Sequence, residues 1–232
     1  MNVIDTGHDF WANYRKDGKD PDQRDPLLRS YHRMLWSKPL PNGKVLSLDG
    51  YLHHNSELGE FSFSSDSFMH TYQSWKRYQH VIGRIPKEET EHFHHLAGTI
   101  GGIMIFPSNK VDGKRTINGE KGCNSKILDR IDLTMECIRR YYEDEKSPLS
   151  ETLERYRPFL DLFINLRGYA DFFLMQDMVT DDNKIEFFCS FDDFSSSPLP
   201  RDVDEYIRYK DNAVSFLNAR NKRIKDWADR NL

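Results

Sequence analysis

The chain has 232 residues, 38% of them hydrophobic and 30% charged, with a formal net charge of -4. That length suits one domain around one core, and an aromatic share of 13% means that rings supply much of the burial. Two function classes are excluded at this level: no apolar run approaches the ~20 residues of a membrane helix, and residues 1–10 lack a signal-peptide pattern; the acidic balance gives no global basic field for phosphates but leaves a local basic patch open.

Residues 13–26 are rich in Asp, Lys, Gly and Pro and read as a surface loop. Its acids, Asp17, Asp20, Asp22 and Asp25, lack the spacing and terminal Glu of a calcium loop. The stripe Leu27, Leu28, Tyr31, Met34, Leu35 predicts a helix with Asp25 as N-cap and Pro26 at its first position, stopped by Pro39 and Pro41. After an Asn42-Gly43 turn, residues 44–53 and 59–65 are strand candidates; in the second, Phe61 and Phe63 alternate with Ser62 and Ser64. Helical periodicity marks 68–81 and, behind Pro86, 87–96.

Residues 99–106 (TIGGIMIF) predict a buried strand, and 107–115 a hairpin tip that returns through Thr116, Ile117 and Asn118. Residues 125–142 carry apolar positions at three- and four-residue spacing and predict a helix with one core face. Ser147-Pro148 opens another, interrupted near Arg157-Pro158; an apolar stretch 169–179, a strand 185–191 and a long helix 202–230 complete the chain. The order of elements predicts an α+β fold: a small, mostly antiparallel sheet, several packed helices and a long C-terminal helix, in a single domain. Cys123, Cys137 and Cys189 are odd in number without C-x-x-C spacing, which predicts reduced thiols and a cytoplasmic location.

Over nearly its whole length the chain resembles an uncharacterised bacterial family, a domain of unknown function. The resemblance rests on residues 36–43 (WSKPLPNG), 99–107 (TIGGIMIFP), 129–142 (DRIDLTMECIRRYY) and 216–224 (FLNARNKRI). It implies a bacterial or phage origin and no mechanism.

Chemistry has to come from the residues. All nine histidines precede residue 96, and Glu89-x-x-His92 beside His94 and His95 has the spacing of carboxylate-bridged metal sites. Such sites need a second helix with the same pattern, and no histidine follows His95 to supply one, so a charged solvent-facing helix is the expected reading and no metal is assigned. Residues 59–72 (GEFSFSSDSFMHTY) resemble the second element of ADP-ribosyltransferases, a strand of aromatic and hydroxyl residues that supports a nicotinamide ring. Cleaving the nicotinamide–ribose bond needs a stacking ring, a group that positions the ribose and a carboxylate for the oxocarbenium-like charge. That resemblance implies NAD as cofactor, Phe61 or Tyr72 for stacking, Ser64 or Ser65 for positioning, His54 as one substitute for the first-strand His, and Glu120 as the carboxylate. An enzyme of this class, a toxin or defence effector, implies a nucleic-acid or protein target and an antitoxin partner.

Asn118-Gly119-Glu120-Lys121-Gly122, ahead of a helix, is a candidate anion cradle in which Asn118 and Lys121 hold the ligand. This supports the alternative, a non-catalytic module for a nucleotide-like ligand or a protein partner. Asp132 and Glu136, with Asp171 and Asp177, support a third reading, a metal-dependent nuclease. Arg220, Lys222, Arg223, Lys225 and Arg230, with Lys110, Lys114 and Arg115, are candidate phosphate contacts.

Overall fold

The computed structural model describes residues 4–12, 16, 18 and 20–232. Among these, ten α-helices surround a three-stranded antiparallel sheet of order β1-β2-β3, which is the α+β architecture expected. Asp17 and part of the 13–26 loop lie outside the described residues; Pro21–Arg24 forms a short helix, α1, where loop is expected, because Asp20 caps its first turn.

Helix α2 (Pro26–Trp36) begins as its sequence predicts: the Asp25 side chain accepts hydrogen bonds from the Leu27 and Leu28 amides and Pro26 occupies the first turn. The turn at Asn42-Gly43 folds 38–46 back on itself, with Gly43 at φ 81 and the Leu46 amide bound to the Lys38 carbonyl at 3.3 Å. The predicted strand 44–53 reduces to a single Pro39 to Val45 bridge; pairing starts later, in β1 (His53–Ser56), which meets β2 (Gly59–Ser67) with His54 opposite Phe61. Strand β3 (Ile103–Pro107) pairs with β2 so that Ser64 faces Phe106, and all five of its residues are buried.

Residues 68–75 correct the helix expected there. The carbonyls of His70 and Thr71, which a helix would bond to amides four residues on, are taken instead by the hydroxyls of Tyr209 and Tyr206, each at 2.8 Å, and Tyr72 adopts φ 58. Helical structure resumes at a 3-10 turn, Lys76–Tyr78, and α3 (Gln79–Ile82). Helix α4 (Lys87–Ala97) falls where predicted. Residues 116–118 do not return as a strand: Thr116 caps α5 (Ile117–Cys123) through the Gly119 amide, so the polar segment around Glu120 is helical.

The expected helix at 125–142 starts only at Ile131, because Leu128 and Asp129 take positive φ to form a turn. In that helix, α6 (Ile131–Tyr142), all residues from Ile131 to Ile138 are buried, so Asp132 and Glu136 lie inside. Asp132 is held bidentately by Arg130 and accepts the Phe188 amide at 2.9 Å; Glu136 binds Arg139 and Arg140. Because Asp132 carries the Phe188 amide and Asn212 takes the Phe188 carbonyl, the predicted strand 185–191 forms no ladder beyond one Val179 to Ile185 bridge.

Helices α7 (Ser150–Arg155) and α8 (Arg157–Leu160) flank the break before Pro158, and α9 (Leu166–Phe172) follows. Phe159 and Phe163 pack against Phe61, Phe63, Phe172 and Phe173 with ring centroids 5.1 to 5.9 Å apart. Each such ring stabilises the fold by roughly 1.5–3 kcal/mol through burial. The long α10 (Val203–Asn231), capped by Asp202, lies across the core: Arg220 donates to the carbonyls of Gly101, Ile103 and Phe173, and Asn221 binds the Gly101 amide and the Thr99 hydroxyl. Arg220, one of the candidate phosphate contacts, is fully buried and donates to these carbonyls instead. The buried apolar residues form one cluster. No helix among the described residues is long and apolar enough to cross a membrane.

Candidate functional site

The residues singled out for chemistry separate into two places. Asn118 and Lys121 turn inward from α5, toward the end of β2. The Lys121 ammonium, 1% exposed, lies 2.9 Å from an Asp66 oxygen and 2.6 Å from one of Asp129. Burial by itself would lower this amine, but Asp66 and Asp129 hold it above its ordinary pKa. Asn118 adds a hydrogen bond to Asp66, whose carboxyl burial raises. The pair is closed on itself, and Lys121 is no ligand for an outside anion.

Tyr72 is fully buried beside this cluster, its hydroxyl bound to the Leu128 carbonyl and its pKa pushed up by burial. His54 is 2% exposed, with Nδ1 against the Ser47 carbonyl and Nε2 against the Ser56 hydroxyl, so both ring nitrogens are engaged. The Ser65 amide is bound to Asp22 across from α1, and Ser64, on the alternate face, lies on the same side of β2 as Asp66. These six residues, Asn118 and Lys121 included, stabilise the junction of the sheet with its neighbours.

Glu120 and Phe61 stand elsewhere, in two adjoining cavities. The first, about 730 Å3, lies between α5 and α7; Lys114, Arg115, Lys146 and Arg155 line it against the acids Glu120 and Glu151, with Ser147, Ser150 and Thr152 adding hydroxyls. The second, about 230 Å3, is apolar: Phe61, Pro107, Val111, Tyr156 and Phe159 form its walls. Arg155 belongs to both. Its guanidinium is oriented by the carbonyls of Glu151 and Arg115 at 3.1 and 3.0 Å and by the Thr152 hydroxyl, while its Nε is buried without a partner. Tyr156 is fixed by the Asn109 carbonyl at 2.6 Å, and Phe61 is clamped between His54 and Phe159. Gly59 shapes this wall: at φ 123, a Cβ there would stand 3.0 Å from the Phe61 ring.

Glu120 lies 3.5 Å from Arg115, a contact that leaves its carboxylate at the cavity surface. The arrangement supplies cationic and hydroxyl groups for an anion next to an aromatic slot for a planar ring. Arg155, Lys146, Tyr156 and Phe159 were not marked by any motif; the signal for them is the helix start at Ser147-Pro148, which brings this segment against the 107–115 loop.

The other constellations are spent on structure. His94 bonds Thr71, His95 lies 3.5 Å from Asp9, and Glu89 pairs with Lys210, so the histidine helix points its polar groups to different partners. Among the described residues no three His, Cys, Asp or Glu side chains converge as a metal site. Near the end of α10, Lys222 pairs with Asp226 and Arg223 with Asp177. Cys123, Cys137 and Cys189 are all free thiols.

No curated protein and no solved structure matches the chain. One family model does, over residues 4–224, and the chain therefore belongs to that family of unknown function (DUF6994).

Proposed function

We propose that this protein binds a nucleotide-like ligand, with phosphates against the basic cavity and a planar ring in the aromatic one. The observation that carries the reading is Arg155, which walls both cavities and keeps an unpartnered buried Nε between them. Four basic side chains against two acidic ones give the larger cavity the sign for phosphates. Phe61 and Phe159 offer faces and edges for the ring. The reading includes a cytoplasmic location, for which three unpaired cysteines are the support.

Calorimetric titration with NAD, ADP-ribose and ATP tests it. Binding is expected to weaken about 10- to 150-fold in Arg155→Met, the loss of one or more hydrogen bonds to a charged group. Equal affinity in wild type and Arg155→Met, or no binding of any of the three, would overturn the assignment.

A second reading, NAD-dependent ADP-ribosyl transfer to a nucleic-acid or protein target as a toxin or defence effector, is favoured by one observation: Glu120, the expected carboxylate, and Phe61, the expected stacking ring, line adjoining cavities. In that reaction the ring would sit on Phe61 and Glu120 would face the developing positive charge on the ribose. Tyr72, Ser65, His54 and Lys121 would take no part in it, being engaged in the interior. Release of nicotinamide from NAD that is abolished in folded Glu120→Gln supports transfer; binding without release leaves the protein a binder.

A further inference from the structure

A lysine outside the paired cavities has the setting of a reactive amine. Lys38 follows α2 directly, and its backbone is held by the 38–46 hairpin, through the Leu46 amide on its carbonyl and the Pro39 to Val45 bridge. The side chain is 8% exposed. Its Nζ lies over three rings from three helices: Trp36 at 5.3 Å, Phe172 at 5.0 Å and Trp227 at 5.3 Å from the centroids. Among the described residues no carboxylate lies within ion-pair distance of it. The contrast with Lys121 and Lys210, both buried and both paired with acids, shows that this fold supplies a counter-ion where a lysine serves only to be buried.

Lys38 also opens onto a cavity of about 630 Å3, bounded by Trp227, Phe172 and Asp171 and, farther along, by Arg223 and Gln176. Gln176 Oε1 is buried without a hydrogen-bond partner and offers an acceptor to whatever occupies the space. We propose that Lys38 is a carbonyl-reactive amine, and that this cavity takes a small aldehyde or keto acid as a Schiff base on its Nζ. The neutral amine attacks the carbonyl carbon and forms a C–N bond as the C=O π pair moves to oxygen, and a proton from the nitrogen passes to that oxygen. A second proton, replaced by the one the nitrogen then gives up, lets the oxygen leave as water with the C–O bonding pair while the nitrogen lone pair forms C=N; amine and carbonyl give imine and water with no change of oxidation state. Asp171 is the cavity carboxylate suited to pass the proton.

The electrostatics agree with the geometry. Burial, and then the fully buried Arg220, lower the Lys38 ammonium to about 7, while Asp171 acts in the opposite direction; of the two further cations that line the cavity, Arg223 is paired with Asp177 and Arg230 donates Nε to the Asp226 carbonyl. A large part of the side chain is therefore the nucleophilic free base at neutral pH. An aromatic box without acids excludes water from the amine, a means by which lysines are activated.

The test is reductive labelling of the full chain with glyoxylate and cyanoborohydride at neutral pH, followed by peptide mapping. Lys38 is expected to gain a carboxymethyl group about tenfold faster than the exposed Lys87 and Lys184, with a rate that reaches half its maximum near pH 7. Unfolding in urea abolishes the preference. Asp171→Asn, which removes the opposing charge, moves the half-maximum to lower pH. Lys38→Arg keeps a long basic side chain among the three rings and reports on folding, and it removes the fast site. Labelling of Lys38 no faster than of Lys87 in folded protein, or a preference that survives in urea, would overturn the proposal. The cavity shares no residue with the nucleotide cleft, so Arg155→Met leaves this labelling unchanged.

Discussion

Replacing Lys121 with methionine separates a structural lysine from an anion ligand. The side chain is 1% exposed and bridges Asp66, 19% exposed, and Asp129, 33% exposed, at 2.9 and 2.6 Å. Removing the cation leaves two carboxylates facing each other. Breaking a buried pair from one side costs about 3–5 kcal/mol. Both acids keep some contact with water, which places the loss at the low end, about 3 kcal/mol, or roughly 6–12 °C in Tm for a chain of this size. Thermal and urea melts followed by circular dichroism measure it. The double variant Lys121→Met with Asp66→Asn should recover part of the loss, since the most buried charge goes with its partner. A Lys121→Met protein as stable as wild type, but with weakened nucleotide affinity, would refute the reasoning and return Lys121 to the ligand.

Two further predictions concern the fold itself. Gly102→Ala should destabilise by about 1–3 kcal/mol in urea titration, because a Cβ there would stand 2.3 Å from the Ala97 carbonyl oxygen, a backbone atom that cannot turn aside. Wild-type stability in that variant would contradict the packing of the 3-10 turn Ile100–Gly102 on the end of α4. His32 is buried, accepts the Trp36 indole at 2.9 Å, and is lowered by burial and then by Arg220 to about 3. A folded value below the unfolded one, about 6.5, means that its contribution is complete above pH 6.5 and is lost as pH falls toward 3, by at most ~1.4 kcal/mol per pH unit. His32→Gln, which keeps an acceptor for Trp36, should flatten the stability profile over that window; an unchanged slope would contradict a neutral buried imidazole.

Local signals were the legible ones. Asp25 with Pro26 and Asn42-Gly43 act within a few residues of themselves, and the helix start and the turn fall where those residues put them. The misread segments are those decided from far away. Residues 68–75 have helical spacing, yet Tyr206 and Tyr209, on α10, capture the carbonyls that a helix needs. Residues 125–130 continue the periodicity of α6, but the turn is closed by Tyr72 on the Leu128 carbonyl and by Lys121 on Asp129. The site shows the same division. Phe61 and Glu120 were recognisable as residue types suited to a ring and to a charge. Arg155 and Tyr156 gain meaning only when α7 packs beside the 107–115 loop, and Lys121 loses its expected role because Asp66, 55 positions earlier, reaches it first.

The claim that a nucleotide-like ligand occupies the paired cavities is tested most directly by amide hydrogen exchange with and without saturating ADP-ribose. Slowed exchange should concentrate in 107–120 and 146–159, the segments that line both cavities, and in Arg155→Met should need about 10- to 150-fold more ligand to appear. Protection elsewhere, with these segments unchanged, would contradict the account.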